Sequence, residues 1–368
     1  MRGRASGAET MLRDLRRKIY RKIRFKNWYR KAYYYHRKRG KQDEIIERFK
    51  GSDAIKDRRY VRALRRDMIR SLFRYGSYYD EYFLFDFEGH DDAYRDSFIT
   101  EGIRLSYYPR MNLAKNTDIF ENKYRTYKRF QSMFMRDMIR IPKNRGGEEI
   151  TPDMTEELRA FVSKHPQYIV KPVYAAFGKG VHKDSADAHA SLEEAYAEYA
   201  QNGAVIEELI EQAPGMSVIH PNSVNTLRIP TVVVNGDEVR LFHPTLRVGR
   251  GESVVDNFSA GGISALIDPE TGVICSDGAD KKGSRYTEHP DTHVTFRGFQ
   301  IPEWEKAVEI VKKAALTVPG DHYCGWDLAY STKGWCMVEA NSTAQMGGMQ
   351  IITRTGRKAE LESLIAMM

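Results

Sequence analysis

Residues 324–344 read CGWDLAYSTKGWCMVEANSTA. Two apolar runs, GWDLAY and GWCMVEA, flank the turn-forming STKG, the signature of a β-hairpin. Three oxygen-bearing side chains, Asp327, Glu339 and Asn341, interrupt strands whose other residues favour burial. Glu339 and Asn341 are two apart, so in a strand they point to one face. Asp327 joins them only in some registers. A four-residue loop over 331–334 sets it opposite Val338, on the wrong face. An odd effective loop, or a bulge, sets it opposite Met337 or Glu339 and assembles a cluster. Carboxylate and amide oxygens suit Mg²⁺, which takes a few protein oxygens plus substrate phosphates. Taken alone, the same residues favour a solvated strand face.

The chain has 368 residues, enough for two or three subdomains around a sizeable core. No apolar run approaches the ~20 residues that span a bilayer. The start, MRGRASGAETMLRDLRRK, lacks the apolar stretch of a secretory signal. Cys275, Cys324 and Cys336 have no metal-type spacing, and a reducing cytoplasm is the expected setting. The net charge of +8 is uneven: residues 1–41 hold 16 Lys/Arg against Glu9 and Asp14. The basic character therefore belongs to an N-terminal arm, and the remainder is mildly acidic.

In that arm Leu12, Leu15, Ile19 and Ile23 share one helical face, followed by the basic and aromatic FKNWYRKAYYYHRKRG. The helix could pack on the body, lie on an anionic membrane surface, or bind nucleic acid. No nucleic-acid module is present, so no nucleic-acid partner is expected. Helical patterning continues to about residue 110, and the aromatic SYYDEYFLFDFEGHDDAYRDSFIT is expected to pack on the main body. Residues 117–141 read as one helix ending before Pro142, with a loop at Gly146 and Gly147. From about 151, helices alternate with strand-like runs at 168–173, 204–210, 226–236, 238–249 and 262–275. Short turns (VNGDEV, DPETG, STKG) join neighbours, which points to antiparallel sheets and an α+β class.

Three further segments carry chemistry. In YIVKPVYAAFGKGV (168–181), a strand delivers Lys171, and Gly178 and Gly180 allow the backbone to close over an anion; a plain glycine-rich hairpin is the alternative. AVIEELI (204–210) is either an edge strand or a hinge whose backbone reads a base. In residues 223–263, Arg228 and Arg247 fall in adjacent strands, suited to a phosphoryl group or to surface salt bridges. DNFSAGG follows, in which Gly261 and Gly262 permit close backbone approach to a ligand.

The order lysine, Lys-Pro with a glycine loop, acidic hinge, arginine, Asp…Glu-x-Asn resembles the ATP-grasp superfamily. The wording NTLR…LRVG…DNFSAGGI…GWDLA…VEAN is most similar to its sugar-transfer-associated branch, over about residues 76–360. The resemblance implies an ATP-grasp fold, two α+β lobes clamping ATP, preceded by a basic helical N-terminal region. Its expected parts are an arm (1–75), a pre-ATP-grasp region (76–150), a lid (151–215) and a C-terminal subdomain with the Mg²⁺ site (216–368). It further implies ATP contacts at Lys123, Lys171, Gly178 and Gly180, and an adenine pocket lined by Glu207, Glu208, Leu209 and Ile210, with Glu211 near the ribose. Asp327, Glu339 and Asn341 would hold two Mg²⁺ ions, Arg228 and Arg247 would be catalytic, and Asn257, Gly261 and Gly262 would meet substrate.

The implied activity is ligation of a carboxylate to an amine through an acylphosphate, joining an amino acid to a sugar or surface-polysaccharide precursor. A kinase-like phosphotransferase is one alternative; a membrane- or nucleic-acid-binding protein with a regulatory nucleotide site is another. Expected partners are small carboxylate and amine substrates, sugar-linked, with peripheral membrane contact through residues 1–41. Two departures stand out. D-alanine–D-alanine ligases carry an arginine two residues before the metal aspartate, where this chain has Gly325. No acid stands just past the hinge at Pro214, Gly215 or Met216, which leaves Glu211.

Overall fold

The computed structural model describes residues 26–144, 150–174, 179–253, 256, 258 and 261–368. The chain divides into two compact units. The first takes in residues up to Met111 together with Gln345–Ala366, and the second takes in Asn112–Ala344 with the last two residues.

The first unit is helical. Its longest helix, Arg58–Tyr75, begins at Asp57, whose carboxylate accepts the N–H groups of Arg59 (2.9 Å) and Tyr60 (3.0 Å). It ends at Gly76, left-handed at φ 73°. Val61, Leu64, Met68, Leu72 and Tyr75 recur at helical spacing and are buried. The aromatic segment after it packs on itself: Phe85 stacks on Phe98 at 4.7 Å, and Phe87 meets Phe98 edge-on at 5.4 Å. Arg95 anchors this cluster by two 2.8 Å bonds to Asp67, which also accepts the Tyr82 hydroxyl. Gln350, in the helix Gly347–Thr353, closes the unit by bonding both backbone groups of Ile99.

The second unit begins at Asn112. Residues 117–141, expected as one helix, form three short helices, Thr117–Glu121, Lys123–Arg129 and Gln131–Phe134, and then strand β1, Met138–Ile141. The Asn122 side chain accepts the Arg125 N–H at 3.1 Å and starts a new helix there. Met135, at φ 52°, ends the last one. The Gly146–Gly147 loop lies outside the described residues.

Strands β2 (Gln167–Pro172), β3 (His182–Ser185) and β4 (Ala204–Glu208) complete an antiparallel sheet of order β1-β4-β2-β3. Leu158, Phe161, Tyr196 and Tyr199 of two amphipathic helices, Pro152–Lys164 and Leu192–Ala200, share its core.

The larger sheet begins with β5 (Thr226–Val234), all nine residues of which are buried. The run 238–249, expected as one strand, is two, β6 (Glu238–Leu241) and β7 (Thr245–Val248), broken at His243, φ 52°, and Pro244. Both pair with β5 along the same edge. Pro230, in mid-strand, accepts the Phe242 N–H at 2.8 Å on that edge, so its missing donor faces the break rather than a ladder partner. The sheet continues through β8 (Ile263–Leu266), β9 (Gly278–Asp280) and β10 (Arg285–Tyr286) on one side. On the other it continues through β11 (Tyr323–Ser331) and β12 (Gly334–Asn341). Trp326, Leu328 and Met337 join the apolar core on one face, against the helix Trp304–Ala315. Trp326, Trp335 and Trp304 each place the indole N–H on an oxygen within that core, at 2.8, 2.9 and 3.0 Å. The opposite face carries the acids.

Candidate active site

The hairpin resolves its own register with a bulge. From the turn inward, Ser331 pairs with Gly334 and Leu328 with Met337, a ladder that would set Asp327 against Val338. The register shifts there, and Asp327 instead faces Glu339, followed by Gly325 against Asn341. Val338 is the extra residue that changes the face of everything beyond it. Asp327, Glu339 and Asn341 thus share one side of the sheet.

Across the other edge of β11, Asp327 faces Arg228 of β5. The arginine grips both carboxylate oxygens, with Nη2 to Oδ2 at 2.7 Å and Nε on Oδ1. Arg247 of β7, paired with Thr226, lies one step along the same face and reaches Oδ2 at 3.4 Å. Burial works against charge on Asp327, but Arg228 and then Arg247 outweigh it and hold its carboxyl below the usual range. Glu339 goes the other way: burial first, then the charge of Asp327, raises its pKa. Among the described residues nothing hydrogen-bonds the Glu339 carboxylate. Asn341 is oriented by the Thr343 N–H on its Oδ1 at 2.9 Å. The oxygen-only donors, one of them a buried carboxylate with no hydrogen-bond partner among the described residues, fit a hard divalent cation.

Gly325 shows why an arginine is absent there. A Cβ at this position would lie 2.4 Å from the Ala344 Cβ and 3.1 Å from the Arg228 Cδ. The side chain of Arg228 fills that space from the next strand.

The other expected residues cluster beside the acids. Lys171 on β2 donates to Glu207 on β4 at 2.8 Å. Burial holds the Lys123 ammonium below the usual lysine range; Glu339 opposes this and Lys171 adds to it, so Lys123 senses both. Glu207 is buried, yet Lys171 and Arg136 keep its carboxyl low. Glu208 bonds the Lys333 ammonium at the hairpin turn and the Asp137 N–H at 3.0 Å. Leu209 and Ile210 are half-buried, and Glu211, exposed, accepts the Thr332 N–H on its carbonyl at 2.9 Å. Residues 208–211 therefore run alongside the hairpin tip. Gly180 sits at φ 72° with Pro172 close by. Gly261, at φ 105°, lies near Arg250, whereas Gly262 is pressed against the backbone: a Cβ there would lie 2.6 Å from the Asp256 carbonyl oxygen. Gly178 and Asn257 lie outside the described residues.

Two residues of the cluster escaped the sequence reading. Arg136, buried, bonds Glu207 at 2.9 Å, the Met337 carbonyl, and the carbonyl of the bulge residue Val338 at 3.4 Å. Asp256 accepts the Thr226 hydroxyl, and burial raises its pKa to about 6. Asp256 opens the DNFSAGG segment, where the glycines drew the reading instead, and Arg136 is one of two arginines in MFMRDMIRI. A further trio, Asp137, His165 and Glu208, offers ligand atoms within 4.8 Å of one another, but Lys333 already occupies Glu208.

The pattern of the sugar-transfer associated ATP-grasp family matches residues 103–365, and the chain belongs to that family. A search of curated proteins finds no match. Solved structures similar to the chain include the ATP-grasp ligase PsnB complexed with a phosphomimetic variant of minimal precursor, Mg and ADP. Its identity is 13%, over 72% of this chain and 65% of that one, with a TM-score of 0.41. D-alanyl-alanine synthetase A from Vibrio cholerae is 12% identical over 68% of this chain and 65% of that one, TM-score 0.41. N5-carboxyaminoimidazole synthase from Aspergillus clavatus, in complex with ADP and ribonucleotide, is 14% identical over 70% and 54%, TM-score 0.42. The chain thus spans less than two thirds of each of these structures.

Proposed function

We propose that the protein is an ATP- and Mg²⁺-dependent ligase that joins a carboxylate to an amine through an acylphosphate. The observation that carries this is the row Arg228–Asp327–Glu339 across three neighbouring strands, in a chain of the sugar-transfer associated ATP-grasp family. Buried acids flanked by cations suit a reaction in which charge spreads over phosphate oxygens.

When bound, Mg²⁺ would neutralise phosphate charge, with oxygens of Asp327, Glu339 and Asn341 as its protein ligands, two ions sharing them. Lys171 and Lys123 bring ammonium groups toward phosphate oxygens, and Glu207 keeps Lys171 directed. Backbone groups of Glu207–Ile210 face the adenine, with Glu211 near the ribose, and Gly180 lets the backbone approach the phosphates. The substrate carboxylate, near Asn257 and Gly261–Gly262, attacks the γ-phosphorus while ADP departs. The amine then attacks the acyl carbon, and phosphate leaves. Arg228 and Arg247 stabilise the negative charge that develops in both steps. The protein forms no covalent intermediate; its contribution is positioning and charge.

The family's description supports a sugar-linked substrate, and the ligases among similar structures support carbon–nitrogen bond formation. An amino acid joined to a sugar or surface-polysaccharide precursor, at the cytoplasmic face of the membrane, fits both. Residues 151–215 would act as the lid and 216–368 would carry the metal site. The test is a screen of amino acids and sugar acids for Mg²⁺-dependent ADP release, with mass spectrometry of the product. ADP release that requires both a carboxylate and an amine supports the ligase. A phosphorylated product formed without amine identifies a kinase-like enzyme. Normal turnover in an Asp327→Ala/Glu339→Ala variant removes the metal assignment.

A further inference from the structure

The helix Arg58–Tyr75 has a second face that the ligase chemistry leaves unused. Opposite its buried stripe, Arg59, Arg62, Arg66, Arg70 and Phe73 recur at three- and four-residue spacing and are all exposed. The file extends about 21 Å along the helix at 1.5 Å per residue. Among the described residues, Arg59, Arg62 and Arg66 have no carboxylate partner, while Arg70 shares Asp92 with Arg74.

Aromatic side chains gather at one end of this file. Phe73 is 47% exposed and meets Tyr35 of the helix Asn27–Lys38 at 5.4 Å. Lys31 fastens the two helices by donating to the Phe73 carbonyl at 2.8 Å. Two turns before Tyr35, on the same side of its helix, Trp28 is 63% exposed. The exposed tryptophan and phenylalanine, and the arginine file, have no covering partner among the described residues.

We propose that this face of the first unit docks on an anionic phospholipid bilayer, the arginines on headgroup phosphates and Trp28 and Phe73 in the interfacial layer. Arginine gives bidentate contacts to phosphate, and tryptophan favours the boundary between headgroup and acyl chain. Single-stranded nucleic acid is the competing polyanion, but surfaces that bind it set stacking rings among the cations. Here no ring lies in the stripe between Arg59 and Arg70, and the Phe73–Tyr35 pair stands at its end. The surface lies wholly within the helical unit and does not rest on the nucleotide site.

The tryptophans make the test direct. Trp304, Trp326 and Trp335 are 2%, 1% and 2% exposed, so quenching by lipid reports Trp28. The full chain is mixed with vesicles of phosphatidylcholine alone or with about one third phosphatidylglycerol, at low and high salt. The expected result is co-sedimentation with anionic vesicles only, weakened by salt, with quenching of tryptophan emission by brominated lipid that Trp28→Phe abolishes. Arg62→Gln/Arg66→Gln should weaken binding about tenfold to thirtyfold. Both are surface changes, and far-UV circular dichroism checks the fold. Equal binding to neutral vesicles, anionic binding without quenching, or binding unaffected by the arginine changes would overturn the proposal. So would displacement from vesicles by an oligoribonucleotide bound at the same residues.

Discussion

Asp327 and Glu339 face each other across the β11–β12 hairpin, and among the described residues only Asp327 is gripped by an arginine. Arg228 holds both oxygens of the aspartate, while burial and the neighbouring aspartate raise the Glu339 pKa above the ordinary 4.5. The folded state therefore holds the Glu339 proton more tightly than the unfolded chain. Stability from this group is full below about pH 4.5 and is lost as pH rises through the raised value. Glu339→Gln should flatten that decline in urea unfolding above about pH 4.5, and Mg²⁺-dependent ADP release should fall about a hundredfold or more. A variant that loses stability and keeps turnover would reverse the assignment.

Removing the other acid should act in the opposite sense on stability. Asp327→Asn leaves Arg228 buried without its carboxylate, at a cost of about 3–5 kcal/mol. Turnover should vanish as well. Chemical denaturation and ADP release on the same preparation distinguish the two acids.

Gly325→Ala introduces a methyl group into space held by Ala344 and by the side chain of Arg228. Overpacking of this kind costs about 1–3 kcal/mol. The arginine is the movable neighbour, so turnover should drop further than the melting temperature implies. Comparison with Ala329→Gly, a change elsewhere in β11, is the control.

Arg136→Lys keeps the charge and loses the planar fork that reaches Glu207 and the Met337 and Val338 carbonyls together. A loss of about 1.5–3 kcal/mol is expected, typical of a hydrogen bond to a charged group. With the guanidinium hydrogen bonds to Glu207 gone, that carboxylate should hold Lys171 more firmly, which predicts a higher KM for ATP. An unchanged KM in a folded variant would show that Arg136 only supports the fold.

In the helical unit, Glu81 accepts the N–H groups of Tyr78 and Glu101 at 2.8 Å each. Burial, then the charge of Glu101, lifts its pKa to about 8. Between about pH 4.5 and 8 the folded chain retains a proton that the unfolded chain has lost, so stability falls as pH rises through this window. Urea unfolding followed by the helical far-UV circular dichroism signal should show the decline, and Glu81→Gln should reduce it.

The strands of the larger sheet were legible because alternation and turn residues are local signals: STKG, VNGDEV and the runs around them mark the hairpins directly. The failures have local causes too. Asn122 caps a helix inside what reads as one helical stretch, and His243 with Pro244 divides what reads as one strand. The spacing of Asp327 and Glu339 left their faces open, since period-two logic changes sign with one extra residue.

By itself, the sequence determined the α+β class, the hairpins, the positions of the acids, arginines and lysines, and the family resemblance those residues carry. All of these follow from neighbours a few positions apart and from their order along the chain. Only the tertiary structure decided that Val338 is the bulge, that Arg228 claims Asp327 from 99 residues away, and that Arg136 joins Glu207 to the hairpin. Each of these is an electrostatic or hydrogen-bond choice among several partners of like chemistry. Burial makes the choice costly to leave unmade, and three-dimensional proximity alone selects which partner answers it.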